Sequence, residues 1–436
     1  MFNLPKYGEG VCLTRLAALL DALSIDRARL QRNSVVVTGS NGKGSTAAFA
    51  ASIGHAAGLR TGLFTSPHLY RFNERFRIDG EEIGDDALAD LVLRVATAIA
   101  DLAMHGVTEI FGAFEAQFAL ACLHFQESDC DFAVFEAGIG GRYDPVRLVG
   151  AKVTCVTSVD YEHVHLLGNT LELIASDKSD ACAAGGTIIY GENCRPLQQH
   201  LAEYNRPRHV SGTYVRDDIV IDNEAMDTTR QQFDLRISDQ AFSGLAMSLL
   251  GDFQFNNAAI AAGLFVQWSE HARPDIALDA AIRDGLRQTR WPGRLEIVQG
   301  EPLIVIDVGH TPDGVSQALQ SLRAIHGEGG WLLVLGVSGD KSVEEIAKHL
   351  APSFDSIICT SAHHKGADAR VVGAAARKAN SSARIHLANT IEDAVRVSQQ
   401  LARTSGQKIY VAGGLFVAIE YATVLRGGNA SELQFF

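Results

Sequence analysis

The chain has 436 residues, 47% of them hydrophobic, and a formal net charge of −13 at pH 7. This length is sufficient for two or three domains with ordinary hydrophobic cores. The acidic charge balance leaves no global basic surface, which excludes DNA and RNA as expected partners. The seven cysteines include no Cys-x-x-Cys pair, so they indicate reduced thiols in the cytosol rather than disulfides or a zinc site.

The sequence opens without a basic segment followed by an apolar one, and no later apolar run approaches the length of a bilayer span. We therefore expect a cytoplasmic protein that has no membrane partner.

Helical and strand patterns alternate along the first part of the chain. Leucines at positions 13, 16, 20 and 23 recur at helical spacing. Short apolar runs then predict strands at Ser34–Thr38, Thr61–Thr65, Phe132–Glu136, Val153–Ser158 and Thr187–Tyr190. Strands that are apolar on both faces and separated by helices are typical of a mostly parallel sheet in an α/β domain.

The pattern changes in the middle of the chain. Between about residues 192 and 250, polar segments with alternating apolar residues predict a peripheral, β-rich antiparallel insertion. A second α/β series follows Pro292 and Gly293, with strands expected at 303–307, 331–335, 357–360 and 408–412. We therefore predict two domains, residues 1–290 and 291–436, with the active site in the cleft between them.

A glycine-rich segment lies between the first strong strand and an alanine-rich helix. Glycines allow the backbone to approach a ligand closely, and amides at a helix N-terminus bind phosphate oxygens. The strict Walker pattern places four residues between its first Gly and its Gly-Lys, whereas two stand between Gly39 and Gly42 here. The strand, the loop and the helix together still predict an ATP site formed by Gly39, Asn41, Gly42, Lys43, Gly44, Ser45 and Thr46.

Lys43 is expected to neutralise phosphate charge, and Ser45 is expected to bind Mg²⁺. Glu136 ends a buried apolar run and precedes the glycine-rich segment 137–142. A carboxylate at the end of a neighbouring strand commonly holds the metal of a nucleotide site, although such a residue also often emerges into solvent. His163 is a candidate ligand of a second metal ion, although a lone histidine is more often structural.

These segments together resemble the folylpolyglutamate synthase/dihydrofolate synthase family of the Mur-type ligases. The resemblance covers nearly the whole chain in order. It implies an α/β fold in which a Mur-ligase-like P-loop ATPase domain precedes a smaller, Rossmann-like C-terminal domain. The segments that carry it are GSNGKGS (39–45), LFTSPHLYRFNERF (63–76), EAGIGGRYD (136–144), residues 158–178, QFNNAA (254–259), WPGRLE (291–296), DVGHTPDG (307–314) and GVSGDK (336–341).

The resemblance also implies roles for particular residues. Ser66 joins Ser45 and Glu136 around one Mg²⁺, and His163 serves a second. Lys178 falls where these ligases often carry a carbamylated lysine, whereas the pattern alone would make it a solvated helix charge. The resemblance implies that Gln254, Asn257, Arg294 and Asp307 contact the nucleotide, and that Lys43, Lys178 and His310 act in catalysis.

Departures from the family pattern fall outside the phosphate loop, which suggests that the substrate pockets are altered. The family's His-Asn pair in its DGAHNP motif is His310-Thr311 here, and its GGRLDATN motif continues as Tyr143-Asp144-Pro145-Val146-Arg147. Gly112 and Ala113 replace the start of its TFFE segment. We expect Arg147 to attract a second carboxylate on a different acid.

The resemblance implies a monomeric, ATP- and Mg²⁺-dependent ligase that joins a carboxylic acid, activated as an acyl phosphate, to glutamate. Two alternatives remain open from the sequence. One is a paralogous ligase that uses a non-folate carboxylic acid in specialised metabolism, and the other is a non-catalytic nucleotide-binding regulator.

Overall fold

The computed structural model describes residues 4–5, 8–10 and 12–435. The helices are α1 (Leu13–Ala22), α2 (Arg27–Asn33), α3 (Lys43–Ala56), α4 (Asp85–Met104), α5 (Ala113–Glu127), α6 (Val164–Leu167), α7 (Leu171–Ser179), α8 (Gln198–Asn205), α9 (Phe253–Ala272), α10 (Leu278–Gln288), α11 (Pro312–His326), α12 (Val343–Leu350), α13 (Ala369–Ala379), α14 (Ile391–Ser405) and α15 (Leu415–Leu425).

The strands are β1 (Ser34–Thr38), β2 (Thr61–Phe64), β3 (Phe76–Ile78), β4 (Glu81–Glu82), β5 (Phe132–Glu136), β6 (Val153–Val156), β7 (Thr187–Tyr190), β8 (Ser211–Tyr214), β9 (Ile219–Met226), β10 (Gln231–Ile237), β11 (Gln240–Met247), β12 (Glu296–Gln299), β13 (Ile304–Ile306), β14 (Trp331–Leu335), β15 (Ser356–Thr360), β16 (Arg384–Ala388) and β17 (Lys408–Ala412).

Within the described residues, the first sheet has the strand order β4-β3-β2-β5-β1-β6-β7-β8. Strands β2, β5, β1, β6, β7 and β8 run parallel, whereas β3 pairs antiparallel with both β2 and β4. Every residue of β1 and β5 is buried, as expected for strands covered by helices on both faces. Val37 pairs with Glu136 on one side and with Cys155 on the other. The carboxyl ends of β1, β5 and β6 therefore meet at one edge, where the loops that follow them converge.

A separate antiparallel sheet, β11-β10-β9, lies within the stretch predicted to be β-rich. Its bounds are narrower than 192–250, because α8 occupies 198–205 and β8 joins the first sheet in parallel with β7. Alternate residues of β10, including Phe233 and Leu235, enter the same core as α3, α9 and α10. One face of the antiparallel sheet thus packs on the main core.

The last sheet has the order β12-β13-β17-β14-β15-β16 and is parallel except for β12. Helices α11, α12 and α13 pack on one face, and α14 and α15 pack on the other. The predicted α/β fold is confirmed, and the predicted strands occur within two residues of their expected ends. The boundary at residue 290 stays a prediction.

All seven cysteines are buried and free of disulfides, in agreement with the reading of their spacing. Among the described helices, none combines the length and the apolar character that crossing a bilayer requires.

Helices α3 and α10 approach closely at Gly285. A Cβ atom at this position would lie 2.4 Å from the Cα atom of Ile53. The Ser52 hydroxyl also donates a hydrogen bond of 2.8 Å to the carbonyl oxygen of Gly285. The position of α3, which begins at the glycine-rich loop, therefore depends on the absence of a side chain in α10.

We predict that Gly285→Ala lowers the free energy of unfolding by about 1–3 kcal/mol, because the added methyl group meets backbone atoms that cannot move aside. In most helix interiors, replacing glycine by alanine instead raises the free energy of unfolding by about 1 kcal/mol. Urea titration followed by circular dichroism measures the change. Gly84→Ala is the control, since its φ is −67° and a Cβ there meets nothing within 4 Å. A Gly285→Ala protein as stable as the wild type would contradict the packing argument.

Candidate active site

A cleft of about 1180 Å³ lies between the carboxyl-end edges of the two large sheets. Many of the residues singled out in the sequence line it, although the segments that carry them are far apart along the chain. These are Asn41, Gly42, Lys43, Gly44, Ser45, Ser66, Glu136, His163, Asn257, Arg294, Asp307 and His310.

The glycine-rich loop has a backbone that side chains would not tolerate. Gly39 and Gly42 have φ values of 141° and 85°, in the region that favours glycine. A Cβ atom would lie 1.8 Å from Oγ1 of Thr157 at the first position and 2.4 Å from Oδ1 of Asn257 at the second. The loop is therefore pressed against β6 and α9, and α3 begins directly after it with its N-terminal amides at the cleft.

Lys43 folds back over this loop. Its Nζ donates hydrogen bonds to the carbonyl oxygens of Gly39 at 2.7 Å and Ser40 at 3.2 Å. Both acceptors are neutral, so the ammonium charge has no ion pair with a carboxylate in the described residues. An anionic ligand in the cleft would supply that partner.

Ser45 is buried and is held from behind by α9. Gln254 directs its side-chain nitrogen at Oγ of Ser45 from 3.4 Å, and Asn257 donates a bond of 2.9 Å to Oε1 of Gln254. Thr46 is also buried, and its hydroxyl has no hydrogen-bond partner among the described residues. Gln254 and Thr46 therefore support the loop and do not line the cleft themselves.

Glu136 is one of the buried carboxylates of the site, with 4% of its surface exposed. Its Oε2 accepts a hydrogen bond of 3.0 Å from the backbone N–H of Ser66. Burial raises the pKa of Glu136 to about 7, although Lys43 and this N–H act in the opposite direction. Its charge is thus only partly compensated. Glu136 and the hydroxyls of Ser45 and Ser66 are oxygen donors of the kind that Mg²⁺ prefers, so these residues fit the predicted ion.

Lys178 is only 1% exposed and is not the solvated helix charge that its sequence pattern alone indicates. Its Nζ lies 2.5 Å from Oε1 of Glu162, a residue that lines the cleft. Burial lowers the pKa of Lys178, and Glu162 opposes that change. Burial alone would raise the pKa of Glu162, but Lys43 and Lys178 lower it to about 2. His163 follows with a left-handed backbone, φ 43°, and its imidazole faces the cleft.

The second large sheet contributes the loops that follow Trp291 and β13. Asp307 comes directly after β13, and its carboxylate accepts bonds from the N–H groups of Leu295 at 3.1 Å and Gly309 at 2.7 Å. This carboxylate therefore joins the segment that carries Arg294 to the segment that carries His310. Burial raises the pKa of Asp307, while Arg294 opposes that change.

Direct hydrogen bonds connect the glycine-rich loop to α11. Thr311 donates a bond of 3.1 Å to Oδ1 of Asn41, and it also caps α11 by accepting from the N–H of Gly314 at 3.0 Å. Nδ2 of Asn41 lies 3.5 Å from Oδ2 of Asp313. These hydrogen bonds could not be predicted from the sequence, because the partners are about 270 residues apart. The sequence analysis also did not single out Glu162, whose only sequence signal was its position before His163.

The positions that depart from the family pattern do not all face the cleft. Gly112, Ala113 and Pro145 line it. Val146 is buried in the core beneath it. The expectation for Arg147 was wrong: its side chain is exposed away from the cleft lining and donates to the carbonyl oxygen of Arg142.

Comparison with known proteins bears directly on this arrangement. Residues 37–265 match the Mur ligase middle domain, and residues 293–415 match the Mur ligase glutamate ligase domain. The dihydrofolate synthase/folylpolyglutamate synthase of Bacillus subtilis is 31% identical over 350 residues, which are 79% of this chain and 80% of that protein. The folylpolyglutamate synthase of Lacticaseibacillus casei is 30% identical over 98% of this chain and 97% of its own length.

The chain belongs to the folylpolyglutamate synthase/dihydrofolate synthase family. A solved structure of the Mycobacterium tuberculosis folylpolyglutamate synthase, complexed with ADP and AMPPCP, superimposes with a TM-score of 0.87. It shares 26% identity, and the superposition covers 96% of each chain. The family and the fold inferred from the sequence motifs are therefore confirmed.

We predict that Lys43→Ala reduces the affinity for a non-hydrolysable ATP analogue by about 100-fold, because a charge-assisted bond to phosphate is worth about 1.5–3 kcal/mol. Calorimetry measures this affinity, and circular dichroism tests whether the fold is retained. Lys348→Ala is the matched control, since that side chain is 71% exposed. Unchanged binding by a folded Lys43→Ala protein would remove the loop from the nucleotide site.

We predict that Glu136→Gln raises the Mg²⁺ concentration needed for half-maximal binding of the analogue, because a neutral amide is a poorer ligand than a carboxylate. Titrating Mg²⁺ at a fixed concentration of the analogue measures this requirement. Glu345→Gln provides an exposed control. The same Mg²⁺ requirement in both variants and the wild type would show that Glu136 does not hold the ion.

Proposed function

We propose that this protein is an ATP-dependent ligase that forms an amide bond between glutamate and a folate-type carboxylic acid. The observation that carries the proposal is the single cleft shared by Lys43, Glu136, Arg294 and His310. Cationic groups from two sheets and a buried carboxylate meet there, at the carboxyl ends of parallel strands, where ligands bind in α/β folds. The choice of a folate-type acid and of glutamate rests on the names of the relatives, which are folylpolyglutamate and dihydrofolate synthases.

The proposed reaction has two steps. An oxygen of the acid's carboxylate bonds to the γ-phosphorus of ATP as the bond to the β,γ-bridging oxygen breaks, which releases ADP and leaves an acyl phosphate. The amine of glutamate then attacks the acyl carbon and loses a proton, while the bond from that carbon to the phosphate oxygen breaks. Activation is needed because a carboxylate alone has no good leaving group, and Lys43 offsets the charge that accumulates during the transfer.

Two Mg²⁺ sites belong to the proposal. Ser45, Ser66 and Glu136 would hold one ion, and His163 would contribute to the second. The ions would supply charge compensation for the phosphates and orientation of the γ-phosphoryl group. Gln254 would keep the Ser45 hydroxyl in place, since it contacts that oxygen from the buried side.

Carbamylation of Lys178 is also part of the proposal. Carbon dioxide adds to a neutral amine, and burial lowers the pKa of Lys178, which favours that form. The carbamate would place an anion beside Glu162, a pairing that is favourable only with a cation between them. Modification and binding of the second Mg²⁺ would therefore depend on each other.

Asn41 and Arg294 would hold the nucleotide from its two sides, with Asp307 fixing the loops of the second sheet. His310, which lines the same cleft, would act in catalysis. We also propose a cytosolic monomer. The free thiols of all seven cysteines support the cytosol, and the resemblance to the family implies the monomer.

A second candidate acid is favoured by one observation. Gly112, Ala113 and Pro145, which differ from the family pattern, line the cleft and have little side-chain surface to offer a pterin ring. Tyr143, another departure, lines the same cleft with a large exposed ring, so the shape of the pocket is changed as well. Removing stacking and amide contacts from a pocket costs several kcal/mol of discrimination in its original substrate. A non-folate carboxylic acid therefore remains the alternative substrate of the same chemistry.

We predict that dihydropteroate and a reduced folate bind more weakly to this protein than ATP does, because these small residues remove contacts from the acid pocket. Calorimetry with each acid in the presence of the ATP analogue measures binding, and mass spectrometry of reactions with ATP, Mg²⁺ and glutamate identifies products. Micromolar binding followed by glutamylation at an ordinary enzymatic rate would refute the altered pocket and retain the ligase. Normal ATP binding without turnover of any carboxylic acid would favour a nucleotide-binding regulator.

A further inference from the structure

A buried arginine stands at the Glu136 end of the cleft and has no part in the roles assigned above. Arg75 ends a short 3₁₀ helix, Phe72–Arg75, between β2 and β3, and it is 4% exposed. It lines the same cleft as Ser66 and Glu136. Burial lowers its pKa to about 10, so the guanidinium is still charged at neutral pH.

The hydrogen bonds of this guanidinium all end on neutral acceptors. Nε donates to Nδ1 of His68 at 2.8 Å, and Nη1 donates to Oε1 of Gln117 at 2.9 Å. Within the part of the chain that the structure describes, Nη2 donates no hydrogen bond and Arg75 forms no ion pair. The neighbouring Glu74 is already engaged, since its carboxylate accepts from the three N–H groups of residues 69–71 at 2.7 to 2.8 Å.

A second buried arginine, Arg15, shows that the fold can neutralise a buried cation with one of its own carboxylates. Arg15 is 5% exposed, and its Nε and Nη2 donate to the two oxygens of Glu115 at 2.8 and 2.5 Å. Its charge is thus neutralised inside the protein. Among the described residues, Arg75 has no carboxylate within bonding distance, and only the more distant charges of Glu136 and Glu74 act against the cost of its burial. This incomplete compensation points to an anion supplied by a ligand.

The orientation of Arg75 is fixed by a chain of contacts that reaches Gln434 and Phe435. Nε of Arg75 can only donate a hydrogen bond, so Nδ1 of His68 must be an unprotonated acceptor. Because Nδ1 accepts from Arg75, the ring proton is on Nε2, which donates to the carbonyl oxygen of Gln434. The next residue, Phe435, is 1% exposed and packs on Phe416 with ring centroids 4.8 Å apart. The C-terminal segment on the last sheet therefore helps to hold the side chain that presents Arg75.

We propose that Arg75 is a catalytic residue that binds the reacting carboxylate of the acid substrate through its free Nη2 edge and then binds the acyl phosphate. His68 and Gln117 are positioning residues that hold the guanidinium in this orientation. This inference rests on the proposed function. Arg75 transfers no proton and forms no covalent bond; it offsets the repulsion between the carboxylate and the γ-phosphate as their oxygen and phosphorus atoms approach.

The test compares the full-length wild type with Arg75→Gln, Arg75→Lys and Arg71→Gln. Arg71 is the matched control, because it lies in the same segment and its side chain is 60% exposed. Steady-state kinetics use ATP, Mg²⁺, glutamate and whichever of dihydropteroate, a reduced folate or another carboxylic acid the wild type ligates best. We expect Arg75→Gln to raise the KM for that acid by about 10- to 100-fold and to lower kcat, because a charged hydrogen bond is lost. Arg75→Lys should recover part of the rate, and Arg71→Gln should match the wild type.

Two further measurements separate this role from a structural one. Binding of the non-hydrolysable ATP analogue, measured by calorimetry, should be unchanged in Arg75→Gln. His68→Leu should raise the KM for the acid without raising that for ATP, and His68→Asn should recover activity, since its side-chain oxygen can accept from Arg75 in place of Nδ1.

Three results would overturn the assignment. A wild type that ligates no carboxylic acid would refute the proposed function and this role with it. A wild type that ligates an acid, together with an Arg75→Gln protein of equal KM and kcat, would refute the role alone. Equal losses of acid and ATP binding, with a lowered urea midpoint, would assign Arg75 to stability.

Discussion

Burial of the Glu136 carboxylate at the end of β5 is the constraint on which the site depends. An ionised carboxylate away from water is costly unless cations or hydrogen bonds surround it, and the fold provides one backbone N–H from Ser66 and the more distant charges of Lys43, Arg294 and Arg75. That partial compensation explains why the pKa of Glu136 is raised. The cationic side chains that stabilise the Glu136 carboxylate can also bind the phosphates of an anionic substrate. The carboxylate itself can bind a metal ion.

The fold brings these charges together by aligning strand ends. Parallel pairing of β1 with β5 and β6 places the glycine-rich loop beside Glu136, and the last sheet presents Asp307 from its own strand end. A hydrogen bond from Thr311 to Asn41 and one from His68 to Gln434 then connect the two sides of the cleft at separate points. Neither connection requires a ligand. The protein can therefore hold its cationic groups near one another before substrates bind, which reduces the reorganisation needed during the reaction.

The parts that the sequence predicted well are those governed by local pattern. The apolar runs of β1 and β5 have the same bounds in the structure as in the sequence reading, because both strands are buried on both faces. Contacts between distant segments could not be read in the same way. Lys178 is buried because Glu162 accepts its charge, a pairing invisible to helical periodicity. Arg147 carries a charge but points away from the cleft, since residues 145–149 form a 3₁₀ turn that directs it outward. Residue types near a motif therefore indicate candidate ligand-binding residues, but tertiary packing determines which of these side chains face the cleft.

The central claim is that the cleft activates a carboxylate by phosphorylating it. Supplying the acid with ¹⁸O in its carboxyl group tests this most directly, because the proposed bond changes transfer one carboxyl oxygen to phosphorus and then release it with the phosphate. The reaction is run with ATP, Mg²⁺ and glutamate, and the inorganic phosphate is analysed by mass spectrometry. We expect one ¹⁸O atom in each phosphate formed together with an amide product. Amide formation with unlabelled phosphate would contradict the acyl phosphate and require a different mode of activation.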